Sequence, residues 1–249
     1  MTAPRRLVRA IGVLESCFKE KFGAPRQPGL VPHSRARLKI KAEFIPEQSL
    51  KGLAEFSHVW LLAYFNLNTN KIFLSTVHPP RLKGKTVGVF ASRSPHRPSP
   101  IGLSAARLLR VEGDTLHLAE VDLVDGTPIL DVKPYIPSYD RVADAKEGWT
   151  SAAEELFAVV FSPAAEAEVH RRLSIGQAGL RDLIIEILSR DLRNHRDRSQ
   201  MKEGKDLGFF IYDCDVHFEI RGRTATVTRI IPAKEYKKHR KPPPTPEDL

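Results

Sequence analysis

The stretch RSPHRPSPIG, Arg93 to Gly102, combines two arginines with three prolines. Proline fixes φ at about −65° and biases the residue before it toward extended geometry, so Pro95, Pro98 and Pro100 exclude a helix here. The result is a stiff arm that presents Arg93 and Arg97 at fixed positions. Guanidiniums held that way offer rigid forks of donors to a carboxylate or phosphate. The alternative is a rigid turn between strands with its arginines solvated. A second concentration of chemistry is DGTPILDVKPY, which carries Asp125, Asp131, Lys133 and Tyr135. In an extended chain alternate side chains share a face, so Asp131, Lys133 and Tyr135 point the same way. That set could move a proton, and Asp131 and Lys133 could equally be a structural ion pair. A third is RARLKIKA, where Arg35, Arg37, Lys39 and Lys41 alternate with apolar residues. Period two predicts a half-buried strand with four cations on its outer face, either solvated or set against a polyanion.

Other chemistries lack their motifs. No GxGxxG follows a first strand, and the Gly84-Lys85-Thr86 triplet has Pro79 where a phosphate-binding loop needs glycine. Nine histidines show no HExxH and no Cys/His cluster at metal spacing, so a lone His such as His58 reads as a packing residue and no metal site is expected. GxSxG is missing, which removes a hydrolase elbow. Cys17 and Cys214, far apart, read as reduced thiols. The net charge of +9 favours a polyanionic partner, nucleic acid first. The N-terminus has no long apolar run behind its arginines, and the longest apolar run, Val59 to Phe65, is too short to span a bilayer. A soluble cytoplasmic protein is expected.

The elements that must position these residues are mostly strands. RRLVRAIGVLE (5–15), RARLKIKA (35–42), HVWLLAYF (58–65), KTVGVFA (85–91) and LFAVVF (156–161) are strand-like. IGLSAARLLRV and TLHLAEVDLV predict a hairpin around Glu112-Gly113-Asp114. Many strands with Gly/Pro turns predict a sandwich or a closed barrel. At Ser162 the pattern changes. Ser162-Pro163 is an N-cap followed by proline at the first helical position, predicting a helix to about Leu173. A second helix is expected near 177–190, with Leu180, Leu183, Ile184, Ile187 and Leu188 on one face. After the basic RDLRNHRDR come two strands, FFIYDCDVHFEI and TATVTRII, joined at Arg221-Gly222-Arg223. The expected architecture is mainly β: an antiparallel barrel over 1–161, a small α+β unit over 162–233, and a disordered tail over 234–249.

KFGAPRQPGLV, GLAEFSHVWLL, PPRLKGKTVGVFASRSPHRPSPIGLS and DLVDGTPILDVKPYIPSYD together resemble the TrmO family, over about Ile11 to Asp140. The resemblance implies a β-barrel tRNA methyltransferase without a Rossmann core. It would transfer a methyl group from S-adenosylmethionine to N6 of threonylcarbamoyladenosine at tRNA position 37. It also implies a homodimer with the cofactor site near the subunit interface. Carried over position by position, the cofactor contacts fall on Gln27, Pro28, Gly29, Asn66, Leu67, Arg93, Leu103, Asp122, Leu123, Val124 and Asp125. Arg93 would serve the methionine carboxylate. Arg97 or Lys133 would take the substrate's threonyl carboxylate, Asp131, Lys133 and Tyr135 are candidates for proton transfer, and Arg35, Arg37, Lys39 and Lys41 for RNA. Two positions depart from the family: Ser99 stands where Asn is common, and RDLRN (190–194) stands where a DPRP-like motif is usual. A non-catalytic protein that binds S-adenosylmethionine or RNA is the rival reading. A generic RNA-binding barrel is disfavoured, because the strands lack interleaved aromatics for stacking bases.

Overall fold

The computed structural model describes residues 8–68, 72–82, 84–151, 156–175, 179–191, 193 and 202–233. Twelve strands among these are numbered in chain order. Six close into a barrel: β1 (Gly12–Ser16), β2 (Arg35–Ile40), β3 (His58–Tyr64), β6 (Ile101–Glu112), β7 (Thr115–Ala119) and β8 (Thr127–Pro134), in the order β1-β2-β7-β6-β3-β8. Every neighbouring pair is antiparallel, and β8 closes the ring by pairing with both β3 and β1. The period-two pattern explains the wall. Leu14, Leu38, Leu61, Leu116, Leu118 and Ile129 face inward and are fully enclosed. Each such side chain withdrawn from water contributes about 1.5–3 kcal/mol. On β2 the same alternation turns Arg35, Arg37 and Lys39 outward, as expected from RARLKIKA, but the strand ends at Ile40, so the expected fourth cation, Lys41, lies just beyond it.

The second unit is a four-stranded sheet in the order β10-β11-β12-β9, from β9 (Ala158–Phe161), β10 (Leu207–Ile211), β11 (Cys214–Arg221) and β12 (Thr224–Pro232). Two of the four α-helices pack here, α3 (Pro163–Ser174) and α4 (Leu180–Leu188); α1 (Pro46–Ser49) and α2 (Pro137–Asp140) are single turns. The Ser162 hydroxyl accepts from Ala165 N, the N-cap expected from Ser-Pro. All five predicted apolar positions of α4 are buried.

Five expectations are corrected. KTVGVFA is not a barrel strand: only Val87–Gly88 (β5) pairs, with Thr76–Val77 (β4), and Val89–Ala91 coils into a 3-10 turn. LFAVVF does not extend the barrel, because Ala158–Phe161 pairs in parallel with Thr224–Val227 in the second sheet. FFIYDCDVHFEI is two strands, turned at Tyr212-Asp213 with Tyr212 in the left-handed region (φ 50°). The strand expected from residue 5 starts at Gly12, and the helix expected from residue 177 starts at Leu180. The 234–249 tail lies outside the described residues.

The two units share one core. Phe18 of the barrel side bridges to Ile211, Tyr212 N donates to Cys17 O (2.8 Å), and Phe210 N donates to a Glu20 carboxylate oxygen (2.9 Å). Arg172, 1% exposed, is held between Glu168 (2.8 Å) and Asp213 (2.5 Å), which ties α3 to the β10–β11 turn. Burial pushes the Cys17 thiol up to about 11 and Cys214 up to about 12, so both stay protonated and unreactive.

A Cβ at Gly12 would lie 2.3 Å from the Lys39 carbonyl oxygen and 2.9 Å from a Leu38 methyl. Backbone cannot give way there without opening the β1–β2 pairing. Gly12→Ala is therefore expected to lose about 1–3 kcal/mol of stability in urea denaturation; an unchanged midpoint would show the closing strands to be slack.

Candidate functional site at the barrel rim

In a six-stranded antiparallel ring, β1, β3 and β7 all end at the same rim. The loops leaving them carry Gln27-Pro28-Gly29, Asn66-Leu67, the arm from Arg93 to Pro100, and Asp122–Asp125. Topology thus brings four separate sequence blocks to one end. The Arg93 guanidinium donates to the Gln27 side-chain oxygen (2.6 Å), joining the arm to the loop after β1. Asp122 accepts from Ser104 Oγ (2.5 Å), a polar residue at an inward-facing position of β6. Gly29 has φ 76°, donates its N–H to Glu120 O (3.0 Å), and a Cβ there would meet nothing nearer than a Glu120 carboxylate oxygen at 3.9 Å. Its backbone therefore lies open to close approach.

The remaining members of the predicted set lie on the same loops and at the start of β6. Asp125 accepts from Ser16 N (2.7 Å) and faces Lys19 Nζ (3.0 Å), so its carboxylate ties this loop to the end of β1. Leu123 is buried in the core. Val124 O accepts from the Thr127 hydroxyl (2.6 Å), Leu67 O from Lys21 Nζ (2.5 Å), and the Asn66 amide donates to Gly126 O (3.5 Å). Pro28 lies between Gln27 and Gly29 in the same loop. Leu103 faces outward just inside β6, 57% exposed.

The arm is strapped down as its prolines suggest. Asn68 donates to Pro95 O (2.8 Å), and Phe65 N donates to Pro100 O (2.8 Å). Arg97 donates from one nitrogen to Val89 O (3.1 Å) and Ser92 O (2.7 Å), with its guanidinium 5.6 Å from the centre of the exposed Phe90 ring. Arg97 thus shapes the arm around Arg93.

Asp131, Lys133 and Tyr135 share the outer wall, as alternation predicts; Asp131 lies level with Leu103 near the rim, and Lys133 and Tyr135 lie progressively farther from it. Asp131 and Lys133 form an ion pair (2.8 Å); Tyr135 N donates to His58 O at the start of β3, with its ring 5.3 Å from that of Trp60. Asp131 and Leu103 both lie opposite Leu62, in one outward row across three strands. Arg37 pairs with Glu15 directly across β1 (2.8 Å), Lys39 lies 3.4 Å from Asp114, and Arg35 donates to Pro32 O and Ser34 O. The stripe from Arg35 to Lys39 is therefore partly neutralised, by pairs worth little at an exposed surface.

The sequence reading missed Ser104, Asn68 and the contacts from the second unit. Only Ser104 carried a signal, a hydroxyl in the inward register of β6. Among the described residues no group of three His, Cys, Asp or Glu is placed to hold a metal ion, and no helix is long and apolar enough to cross a membrane.

The N-terminal domain model of tRNA-methyltransferase O matches residues 13–141, and the TrmO C-terminal domain model matches residues 154–233. The crystal structure of TrmO superimposes with a TM-score of 0.77 at 36% identity, covering 92% of this chain and all of that one. The chain belongs to the TrmO family. The tRNA (adenine(37)-N6)-methyltransferase of Escherichia coli is 36% identical over 219 residues, covering 84% of this chain and 91% of the relative. The mouse protein of the same name is 53% identical over 142 residues, which is 56% of this chain but 33% of the mouse protein's length. The Probable S-adenosyl-L-methionine-binding protein of Pyrococcus abyssi is 37% identical over 141 residues, 57% of this chain and 74% of that relative.

Enclosure at the barrel end pushes the Asp122 carboxyl up to about 6, against the opposing pull of the Ser104 hydrogen bond and the Arg93 charge. An acid raised in the folded state contributes stability that is present below its unfolded pKa, about 4, and lost as pH rises through 6. Asp122→Asn should remove that decline. Urea midpoints measured from pH 4 to 7 should fall less with pH in the variant than in the wild type; parallel curves would contradict the assignment.

Proposed function

We propose that the protein is a tRNA methyltransferase, transferring a methyl group from S-adenosylmethionine to N6 of threonylcarbamoyladenosine at position 37. The observation that carries this reading is the convergence of Gln27, Gly29, Arg93 and Asp122 at one rim, in a chain aligned with 91% of a tRNA (adenine(37)-N6)-methyltransferase. The rim fits the methyl donor. Its amino-acid end carries a carboxylate and an ammonium, and the rim presents Arg93 for the one and Asp122 for the other. Gly29 leaves backbone open to a flat or crowded group. When bound, the donor supplies a methyl group on a sulfonium, already a good leaving group. What remains for the chain is positioning and exclusion of water. Arg93, held by Gln27 on an arm stiffened by prolines, loses little entropy in taking a carboxylate.

In this reading the barrel carries donor and reaction, the second unit braces it, and the enzyme works as a homodimer. Tyr64, Ile101, Leu103 and Phe90 are exposed apolar residues on or beside the rim, with Ile101 at 45% and Phe90 at 73%. A second copy on this face would bring its outer wall toward the rim. Any proton-transfer role of Lys133 or Tyr135 is then exerted across that interface, because within one chain they lie farther down the outer wall; Asp131, level with Leu103, stands nearest the rim. The Arg35–Lys41 stripe is assigned to tRNA phosphates.

Incubating the protein with threonylcarbamoylated tRNA and S-adenosylmethionine, then analysing nucleosides by mass spectrometry, tests the activity; absence of the methylated nucleoside with active substrate tRNA refutes it. Arg93→Ala should weaken S-adenosylmethionine binding about tenfold to a hundredfold, the loss of a preorganised charged hydrogen bond. Calorimetry giving an unchanged dissociation constant in a folded variant removes Arg93 from the site. Changing Arg35, Arg37, Lys39 and Lys41 to Gln should leave donor affinity alone. It should also flatten the salt dependence of tRNA binding, by about 0.7–0.9 counterions per lost contact. Overlapping slopes would place the tRNA surface elsewhere.

A further inference from the structure

The loop that carries Gln27 is fastened to the second unit along its length. Near its start, Arg26 donates to the backbone carbonyls of Asp191 (3.0 Å) and Arg193 (3.3 Å). In its middle, Arg190 donates to Leu30 O (3.1 Å) and to Glu186 O (3.4 Å), joining the loop to the C-terminal end of α4. At its far end one carboxylate takes two bonds from one residue: His33 N donates to Glu186 Oε2 (2.9 Å), and His33 Nδ1 faces Glu186 Oε1 at 2.6 Å. A carboxylate only accepts, so the ring proton sits on Nδ1. Asp182 stands 3.9 Å from the other ring nitrogen, and Gly179 at the start of α4 comes so near that a Cβ there would lie 3.3 Å from the imidazole.

The base of this clamp is rigid. Helix α4 buries five apolar residues in the shared core, so Glu186 projects from an element that cannot shift without disturbing that core. The loop has no secondary structure to hold it. Its own anchors on the barrel are Gly29, whose N–H donates to Glu120 O (3.0 Å), and Ser34, whose hydroxyl donates to Val121 O (3.2 Å), next to Asp122. Gln27 sits inside the clamped span and holds Arg93.

We infer that Glu186 and His33 are positioning residues: by clamping residues 26–33 to α4, the second unit sets the place of Gln27, and through it Arg93, and so governs the affinity of the rim for its ligand. This rests on the rim being the S-adenosylmethionine site. By linkage, a ligand that favours the clamped loop also favours the docking of α4 against it.

Two measurements test it. The first needs no ligand: amide hydrogen exchange of residues 29–34 in the unliganded protein. Glu186→Ala and His33→Ala should each speed exchange there without changing exchange in β6 or β7. The second is calorimetric titration with S-adenosylmethionine and with S-adenosylhomocysteine. Either variant should raise the dissociation constant about fivefold or more, the range of measured coupling between sites. Together they should be no worse than the stronger alone, since both break one clamp. In turnover the loss should fall on KM for the methyl donor, with kcat kept. His33→Asn, which keeps a donor near the Nδ1 position, and Glu186→Gln, which keeps an acceptor, should restore most of the affinity. Ile187→Val, on the buried face of the same helix, should soften α4 yet leave the dissociation constant at the wild-type value.

Wild-type exchange and affinity in folded Glu186→Ala or His33→Ala overturn the inference. So does an Ile187→Val variant that loses affinity equally, which would reduce the clamp to general stability. If the alanine variants do not fold, Glu186→Met, which fills the same space and accepts neither bond, overturns it as well when it gives wild-type values in both measurements. If the wild-type protein binds neither ligand, the assignment of the rim fails, and the exchange experiment alone decides whether the clamp holds the loop.

Discussion

Closure of the barrel through β8 is the constraint on which the rest depends. β8 pairs with β3 on one side and β1 on the other, with an irregularity in its register between Leu62 and Ala63 of β3. A sheet left open there would expose two edges and spread its loops along a line. Closed, it turns the same loops into a ring. Three loops that leave β1, β3 and β7 then face one another across a barrel mouth, although more than ninety residues separate Gln27 from Asp122 in the chain.

The rim is fixed in place by bonds that are spent inside the chain. Asp125 holds the end of β1, Asn68 and Phe65 hold the arm, Arg97 holds the turn before Arg93, and Lys21 holds Leu67. These bonds hold Arg93, Gln27 and the backbone at Gly29 in one geometry. A site preorganised this way binds without first having to order its own loops. The Ser104–Asp122 pair shows the same economy inward, with an acid kept at the mouth by a hydroxyl that the strand's alternation aims at it.

The small sheet is continuous with this arrangement. The Phe18–Ile211 bridge and the shared apolar core place it against the loop after β1, and the buried Arg172 between Glu168 and Asp213 keeps α3 and the β10–β11 turn together. Breaking such a buried pair leaves an uncompensated charge, so the seam resists separation. The parallel addition of β9 to β12 makes the chain enter the second unit through a strand before its first helix.

Local rules in the sequence decided much of this. The alternation of RARLKIKA, the hairpin at Gly113-Asp114, the Ser162-Pro163 cap and the apolar face of α4 each depend on neighbours within one turn or one pair of strands. The proline arm and its arginines were visible for the same reason, and the spacing of four blocks was specific enough to point to the family. What only the tertiary structure decided was pairing over distance. Sequence could not tell that LFAVVF joins β12 and not the barrel, because a short apolar run fits either sheet. Nor could it tell that Arg97 and Asp125 brace the rim while Arg93 faces Gln27, or that His33 meets Glu186 across 153 residues. Charge and spacing name the groups able to form such bonds; which ones meet is set by closure of the ring and by the shared core.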